Sequence, residues 1–283
     1  MNLTSSFLKQ TQIHIDTMPV LKVVGLGGGG SNTINRMVEF GLTGVDYIAG
    51  NTDYQALSSC LAPTKIQLGP QLTRGLGAGG NPEVGEAAAI ESYAVFKDIL
   101  RGSDMVFLTA GMGGGTGTGA IPVVAQAAQE VGAVTVSIVT MPFSFEVGRR
   151  QQNAQRGLNR LRPYSDTLIT IPNDRLLSIA PKNMPLEMAF QLADDVLRQG
   201  IQGITELITT PGLINVDFSH IRNVFKLGGG SILTIGYGQG VGKTMQAIQG
   251  ALHHPLLDAF SLGGATAIIA NFTGGADLTF LEV

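Results

Sequence analysis

The chain has 283 residues, of which 44% are hydrophobic and 14% charged, and its formal net charge is −3. That is enough apolar sequence to bury a substantial core, which excludes a disordered chain, and the lack of a basic excess excludes nucleic acid as an expected partner. The low charge also suits a surface partly covered by copies of the same chain. Cys60 is the single cysteine; it rules out an intrachain disulfide and reads as a core filler. No apolar run is long enough to span a membrane, and Met1 to Met18 lacks the pattern of a signal peptide. The expectation is a cytoplasmic protein without direct membrane insertion, with a loosely ordered arm over residues 1–18.

Leu21 to Leu26 reads as a short buried strand. Gly27 to Gly30 then turn into a helix that Ser31 or Asn32 caps, with Ile34, Met37 and Val38 on its inner face. Such a turn brings backbone N–H groups close to an anion, so Gly28, Gly29 and Asn32 are candidate phosphate contacts. Gly25 to Gly30 also fits a dinucleotide fingerprint, with Asp46 or Asp53 where a ribose-binding acid would stand, so an NAD(P)-dependent Rossmann oxidoreductase stays open as an alternative. Val45 to Ala49 is a strand, followed by Asn51-Thr52-Asp53-Tyr54-Gln55-Ala56-Leu57, in which Asp53 alone reads as a helix cap. In Gly75 to Gly85, the glycines Gly79 and Gly80 beside Asn81 make another surface of backbone donors, and Pro82 opens a helix running to about Leu100.

Met105 to Ala110 is a buried strand and Pro122 to Val131 a helix, so Gly111-Met112-Gly113-Gly114-Gly115-Thr116-Gly117-Thr118-Gly119-Ala120 fills a strand-to-helix turn. Phosphates bind at such turns: the glycines admit an anion, Thr116 and Thr118 add hydroxyl donors, and the positive end of the helix points at the same place. Ala133 to Met141 is a strand of the parallel-sheet kind, leading into Pro142-Phe143-Ser144-Phe145-Glu146-Val147-Gly148-Arg149-Arg150. Thr167 to Ile171 is another strand, ending in Pro172-Asn173-Asp174-Arg175. Leu186 to Thr209 is one long helix, its apolar positions at Phe190, Ala193, Leu197, Ile201, Ile204 and Ile208, bracketed by Pro185 and Pro211. Ser231 to Gly236, Lys243 to His253 and Thr266 to Phe272 read as strand, helix and strand of a second domain. Gly238 to Thr244 has the wrong spacing for a P-loop, because position 237 is Tyr, and the adjacent His253 and His254 diverge on a helix, so no metal site is expected.

The Gly111–Ala120 decamer resembles the signature loop of the tubulin/FtsZ family of GTPases, in the form found in its bacterial cell-division branch, and the other loops occur in family order. Asn51 to Leu57 resembles the family's second nucleotide loop, where Asn51 and Asp53 face the phosphates and metal. Gly75 to Gly85 resembles the γ-phosphate loop, with Gly80 where the family usually has Ala. The resemblance implies Glu146 on the ribose, Arg150 on the nucleotide, Asn173 on guanine, Phe190 against the base and Asp194 on its Watson–Crick edge. A carboxylate there accepts from the guanine N1–H and 2-amino group and finds no such donors on adenine.

Gly212 to His220 resembles the family's catalytic loop, with Asn215 and Asp217 in place and His220 where a second acidic residue stands. At about 1.5 Å per residue, the long helix puts this loop roughly 30 Å from the guanine contacts, so a second molecule supplies it. Head-to-tail contacts of that kind generate a filament when they do not close. The resemblance thus implies an α/β fold, a largely parallel Rossmann-like GTP-binding sheet over residues 19–185, a central helix over 186–209, and over 210–283 the catalytic loop with a smaller α+β domain cut short at Val283. It implies a self-polymerising, cytoskeletal GTPase of cell division that binds GTP or GDP, with Mg2+ arriving on the phosphates, and the departure from the family pattern at His220 predicts slow hydrolysis. Adaptor binding is not carried over, because the family's C-terminal tail is missing from the sequence. A relative that binds GTP and assembles without turnover is the nearer alternative to the oxidoreductase.

Overall fold

The apolar runs lie side by side as parallel strands, because each is buried on both faces and only a sheet covered by helices on both sides satisfies that. The computed structural model describes residues 18–146, 148–177, 181, 183–210, 212, 216–228, 230–253, 264–275, 277–279 and 282. In chain order, β1 (Leu21–Leu26) runs into α1 (Gly27–Glu39), β2 (Asp46–Asn51) into α2 (Tyr54–Ser58), and β3 (Thr64–Gln67) is followed by α3 (Pro82–Glu91) and α4 (Tyr93–Leu100). Then come β4 (Met105–Gly111), α5 (Thr116–Glu130), β5 (Val134–Met141), α6 (Arg149–Leu161), β6 (Thr167–Pro172), α7 (Asn173–Leu177), α8 (Leu186–Thr209), α9 (Phe218–Lys226), β7 (Gly230–Ser231) and α10 (Lys243–Leu252).

The sheet has seven strands in the order β3-β2-β1-β4-β5-β6-β7, and every pairing is parallel. Strand residues alternate between two cores. Val24, Leu26, Val106 and Leu108 pack with Phe96 and Ile121 beneath α3 to α6, whereas Leu21, Val23, Met105 and Phe107 pack with Ile34, Met37, Leu197 and Ile201 beneath α1 and α8. Strand order reverses between β1 and β4. In open parallel sheets that switch point, at the carboxyl ends of the strands, is where the crevice forms.

Three helices differ from the sequence expectation. The helix expected to be capped by Ser31 or Asn32 starts at Gly27, and the helix expected at Pro122 starts at Thr116 with Pro122 inside it. In α1 the glycines are the first helical turn, and in α5 Gly117 and Gly119 belong to the first turn while Gly113 to Gly115 precede it. They are glycines because these turns are wedged together: a Cβ on Gly27 would stand 2.8 Å from the Gly117 nitrogen, and one on Gly119 only 2.0 Å from the Pro82 carbonyl oxygen. The helix expected from Pro82 to Leu100 divides at Ser92, whose buried hydroxyl accepts the Gly69 N–H at 3.1 Å.

At the C-terminal end, the strand expected over Ser231 to Gly236 pairs only through Gly230–Ser231, on the edge of the main sheet, and residues 266–272 form no strand. A strand exists by its ladder, and among the described residues 266–272 have no neighbouring strand to bond. The expected α10 helix is present. The arm over residues 1–18 lies outside the described residues except for Met18, as do Asn215 and His254. No helix among the described residues is long and apolar enough to cross a membrane. Cys60 is buried, as a core filler should be.

Candidate functional site

Two helix N-termini converge at the switch point. Neither α1, which follows Leu26, nor α5, which follows Gly115, has a side chain capping its first N–H groups, and neither carries an acid in its first turn. Uncapped N–H groups and the positive ends of two helix dipoles therefore face one place, a ready anion site. α2 and α3 show the contrast: Asp53 Oδ1 accepts from the Gln55 and Ala56 N–H groups, and Asn81 Oδ1 from the Glu83 N–H at 3.0 Å. Asp53 is a helix cap, as expected from its residue type, and it also lies next to Thr52, which meets the first residue of α5.

The glycine turns leave room where a ligand would need it. A Cβ built on Gly28, Gly79, Gly80 or Gly114 meets nothing within 4 Å, whereas Gly29 is 3.0 Å from the Gly111 nitrogen by the same measure and Gly115 is 2.8 Å from the Asn81 nitrogen. The second set is wedged by protein and the first opens onto space. Gly80 has φ +74°, a left-handed backbone that an alanine would strain.

The loops are tied to one another. Asn51 is buried and its Oδ1 accepts the Asp53 N–H at 3.2 Å. The Thr52 and Thr116 hydroxyls meet at 2.6 Å, and the Gly77 N–H reaches the Thr52 carbonyl at 3.2 Å, so the second and third loops close against the first residue of α5. Thr118 is buried and its Oγ1 accepts the Gly113 N–H at 2.8 Å, folding the signature turn back on itself. Gly117, also buried, packs under Gly111 and Leu26. Thr52 was missed by sequence reasoning, although its place between Asn51 and Asp53 pointed to it.

On the other flank, Glu146 Oε1 accepts the Phe143 N–H at 2.9 Å while its second oxygen pairs with Arg150. The Asn153 amide reaches the Gly113 carbonyl, which holds the start of α6 against the signature turn. Asn173, at the start of α7, is buried with its Oδ1 unpartnered. An orphaned buried acceptor is costly unless a ligand or water supplies a donor. Phe190 on α8 is 38% exposed and stands edge-on to Phe143 at 5.3 Å, with Phe143 stacked on Phe145 at 4.9 Å. One turn along α8 lies Asp194, whose carboxyl is pushed up to about 7, mainly by burial and against the pull of Arg36.

Asp217 and His220 sit apart from all of this. Both are exposed at the start of α9, where Asp217 makes no side-chain cap and the His220 N–H bonds the Asp217 carbonyl at 2.9 Å. α8 runs unbroken for 24 residues, so from Asp194 to its end it rises roughly 22 Å, and one chain does not bring α9 to the glycine turns. The false P-loop is likewise remote in character: Lys243 pairs with Asp277, and a Cβ on Gly238 would strike the Lys243 carbonyl oxygen at 1.8 Å. Among the described residues no cluster of His, Cys, Asp and Glu holds a metal by itself.

Two family descriptions match the chain: the tubulin/FtsZ family GTPase domain over residues 20–181 and the FtsZ family C-terminal domain over residues 229–283. Cell division protein FtsZ 1 of Archaeoglobus fulgidus is 51% identical over 271 residues, which cover 96% of this chain and 73% of that protein. Among solved structures, an empty FtsZ dimer from M. jannaschii superposes with a TM-score of 0.83 at 49% identity, covering 86% of this chain and 70% of that one. The GTPγS-bound protofilament of CetZ2 from Haloferax volcanii, at 23% identity, gives a TM-score of 0.66 over 77% of this chain and 66% of that one; it shares the fold.

Proposed function

The chain belongs to the tubulin/FtsZ family, in its FtsZ branch, and from that premise we propose that it is a self-polymerising GTPase of cell division, working in the cytoplasm. The observation that carries the reading is the meeting of two uncapped helix N-termini at the switch point between β1 and β4. That arrangement fits a chain of phosphates better than a single carboxylate or a neutral ligand. It also disfavours the oxidoreductase, because the dinucleotide fingerprint explains the α1 turn and leaves the α5 turn without a role.

In this reading Gly28, Gly29, Gly113, Gly114, Gly115, Thr116, Gly117 and Thr118 hold the phosphates, with Asn32, Asn51, Asp53, Gly79, Gly80 and Asn81 around their outer edge. Glu146 and Arg150 take the ribose side; Asn173, Phe190 and Asp194 take the base. The unpartnered Asn173 oxygen and the exposed Phe190 ring support that assignment. Mg2+ would be held through the phosphates beside Asn51 and Asp53 and would supply positive charge to offset the charge that develops during phosphoryl transfer. Residues 19–185 form the nucleotide domain, α8 the central helix, and residues 210–283 carry the catalytic loop and a smaller second domain.

Asn215, Asp217 and His220 act on the nucleotide of the next subunit in a head-to-tail filament. The length of α8 supports this, since it keeps these residues from their own chain's nucleotide. An exposed carboxylate at Asp217 is suited to orienting the attacking water, and an imidazole at His220 in place of the second carboxylate lacks the fixed negative charge for that task, so turnover is slow. The test is phosphate release from GTP against protein concentration with Mg2+, beside a thermal-shift comparison of GDP with NAD. Release per subunit that rises above a critical concentration supports assembly-coupled hydrolysis. Stabilisation by NAD and not GDP overturns the reading. Filaments without phosphate release favour a form that assembles without turnover, as His220 suggests.

A further inference from the structure

Two strips of residues spaced one helical turn apart face each other between α1 and α8. On α1 the strip runs Gly28, Asn32, Arg36 and on to Phe40 just past the helix end; on α8 it runs Phe190, Asp194, Arg198. A four-residue spacing keeps each strip on one helix face. The strips touch at two rungs: Arg36 Nε lies 3.9 Å from Asp194 Oδ2, and the Arg198 guanidinium stands 4.2 Å above the Phe40 ring. From Gly28 to Arg36 the helix rises roughly 12 Å, about the reach from a nucleotide's phosphate to the far edge of its base.

Asp194 alone is a poor acceptor in that place. Its side chain is 15% exposed and burial favours the protonated carboxyl, which presents a proton where a guanine N1–H needs a lone pair. The charge opposing this is Arg36, with the Thr33 hydroxyl beside it on α1. The other charged groups nearby have partners of their own or lie exposed, although Asp195 also feels the Arg36 charge. On α8, Asp195 accepts from Arg198 at 2.7 Å and from Gln199, and Glu187 lies exposed in the first turn; on α7, Asp174 accepts the Ser144 N–H at 2.9 Å and Arg175 has a partner of its own; Glu39 is exposed at the end of α1.

We propose that Arg36 is a specificity-determining positioning residue: its guanidinium orients the Asp194 carboxylate toward the base and so sets the preference for a purine that carries both an N1–H and a 2-amino group. This rests on the reading of Asp194 as a base contact. Arg36 acts through Asp194 and does not itself touch the nucleotide. Lysine at the same place supplies the charge with less directional control, so it substitutes in part.

The experiment measures affinity for fluorescent GDP and IDP from about pH 5.5 to pH 8.5 in wild type, Arg36→Ala, Arg36→Lys and Asp194→Asn, each checked for folding by circular dichroism. IDP lacks the 2-amino group, and the terminal phosphate titrates alike in every variant, so differences between variants report the protein. Wild-type affinity for GDP is expected to weaken as pH falls through the Asp194 titration. Arg36→Ala moves that midpoint upward and lowers the GDP-to-IDP ratio by roughly fivefold or more, and Arg36→Lys brings both back toward wild type. A folded Arg36→Ala with the wild-type midpoint and ratio overturns the role of Arg36; if that variant does not fold, a wild-type midpoint and ratio in Arg36→Gln does the same. Asp194→Asn with wild-type GDP affinity and pH profile overturns the base contact itself, which separates the two failures.

Discussion

The Thr52 and Thr116 hydroxyls meet at 2.6 Å across 64 positions of chain, joining the end of β2 to the first residue of α5. Thr52 is fully buried, so replacing it by the isosteric valine leaves the Thr116 hydroxyl without that partner. Thr52→Val is expected to cost about 1–2 kcal/mol of stability, read by urea denaturation without nucleotide, and to weaken GDP binding because Thr116 is no longer held. Unchanged denaturation midpoint and affinity would show that the pair contributes nothing.

Gly28 and Gly119 separate binding from folding. A Cβ on Gly28 meets open space, and one on Gly119 meets the Pro82 carbonyl oxygen at 2.0 Å. Gly28→Ala is expected to keep the wild-type melting temperature without nucleotide and to lose GDP affinity at least tenfold, since its methyl group occupies space left for phosphate. Gly119→Ala is expected to force α3 and α5 apart and cost about 2 kcal/mol or more. Equal melting losses in the two variants would contradict the open cradle.

Asp194 carries a stability cost that follows its proposed role. Its carboxyl titrates near 7 in the nucleotide-free fold, against 3.8 ordinarily. The protonated form is favoured by folding, so stability is lost as pH rises from the ordinary value through about 7, and lowering the pH from 8 to 5 should raise it. Asp194→Asn removes the penalty: at pH 8 the nucleotide-free variant is expected to be more stable, on the order of a few kcal/mol at most, while binding GDP more weakly. Differential scanning calorimetry at pH 5 and pH 8 checks the sign.

His220 and Asp217 give the kinetic prediction. His220→Asp is expected to raise phosphate release per subunit in polymer severalfold, and Asp217→Asn to abolish it while leaving GDP affinity unchanged. Mixing Asp217→Asn with the binding-deficient Gly28→Ala should recover activity, because one supplies an intact nucleotide site and the other an intact loop. A mixture as inactive as its parts would argue against a site shared between subunits.

Much of this was legible in the residues themselves. The apolar runs became β1, β2, β4, β5 and β6 with small changes at their ends, and α8 has the predicted bounds of Leu186 and Thr209 because prolines bracket a regular apolar period. Thr64–Gln67 was not, since four residues of mixed polarity carry too short a pattern. The early starts of α1 and α5 were also hidden: glycine and an interior proline both argue against helix locally, and only the wedging of Gly27, Gly117 and Gly119 against neighbouring backbone makes helix the economical conformation there. The bond from the Gly69 N–H to the Ser92 hydroxyl, at the point where the expected helix divides, joins residues 23 positions apart.

Local chemistry in the chain determined the alternation of strand and helix, the glycine turns at strand ends and the family to which they belong, because each of these is written in neighbouring residues and short periods. Tertiary structure decided which turns converge, that Thr52 meets Thr116, and that Arg36 faces Asp194. Those meetings follow from the strand order β2-β1-β4 and from the packing of α1 on α8. Hydrophobic period says that a face is buried and not against what, so contacts between distant side chains emerge only when the sheet is assembled.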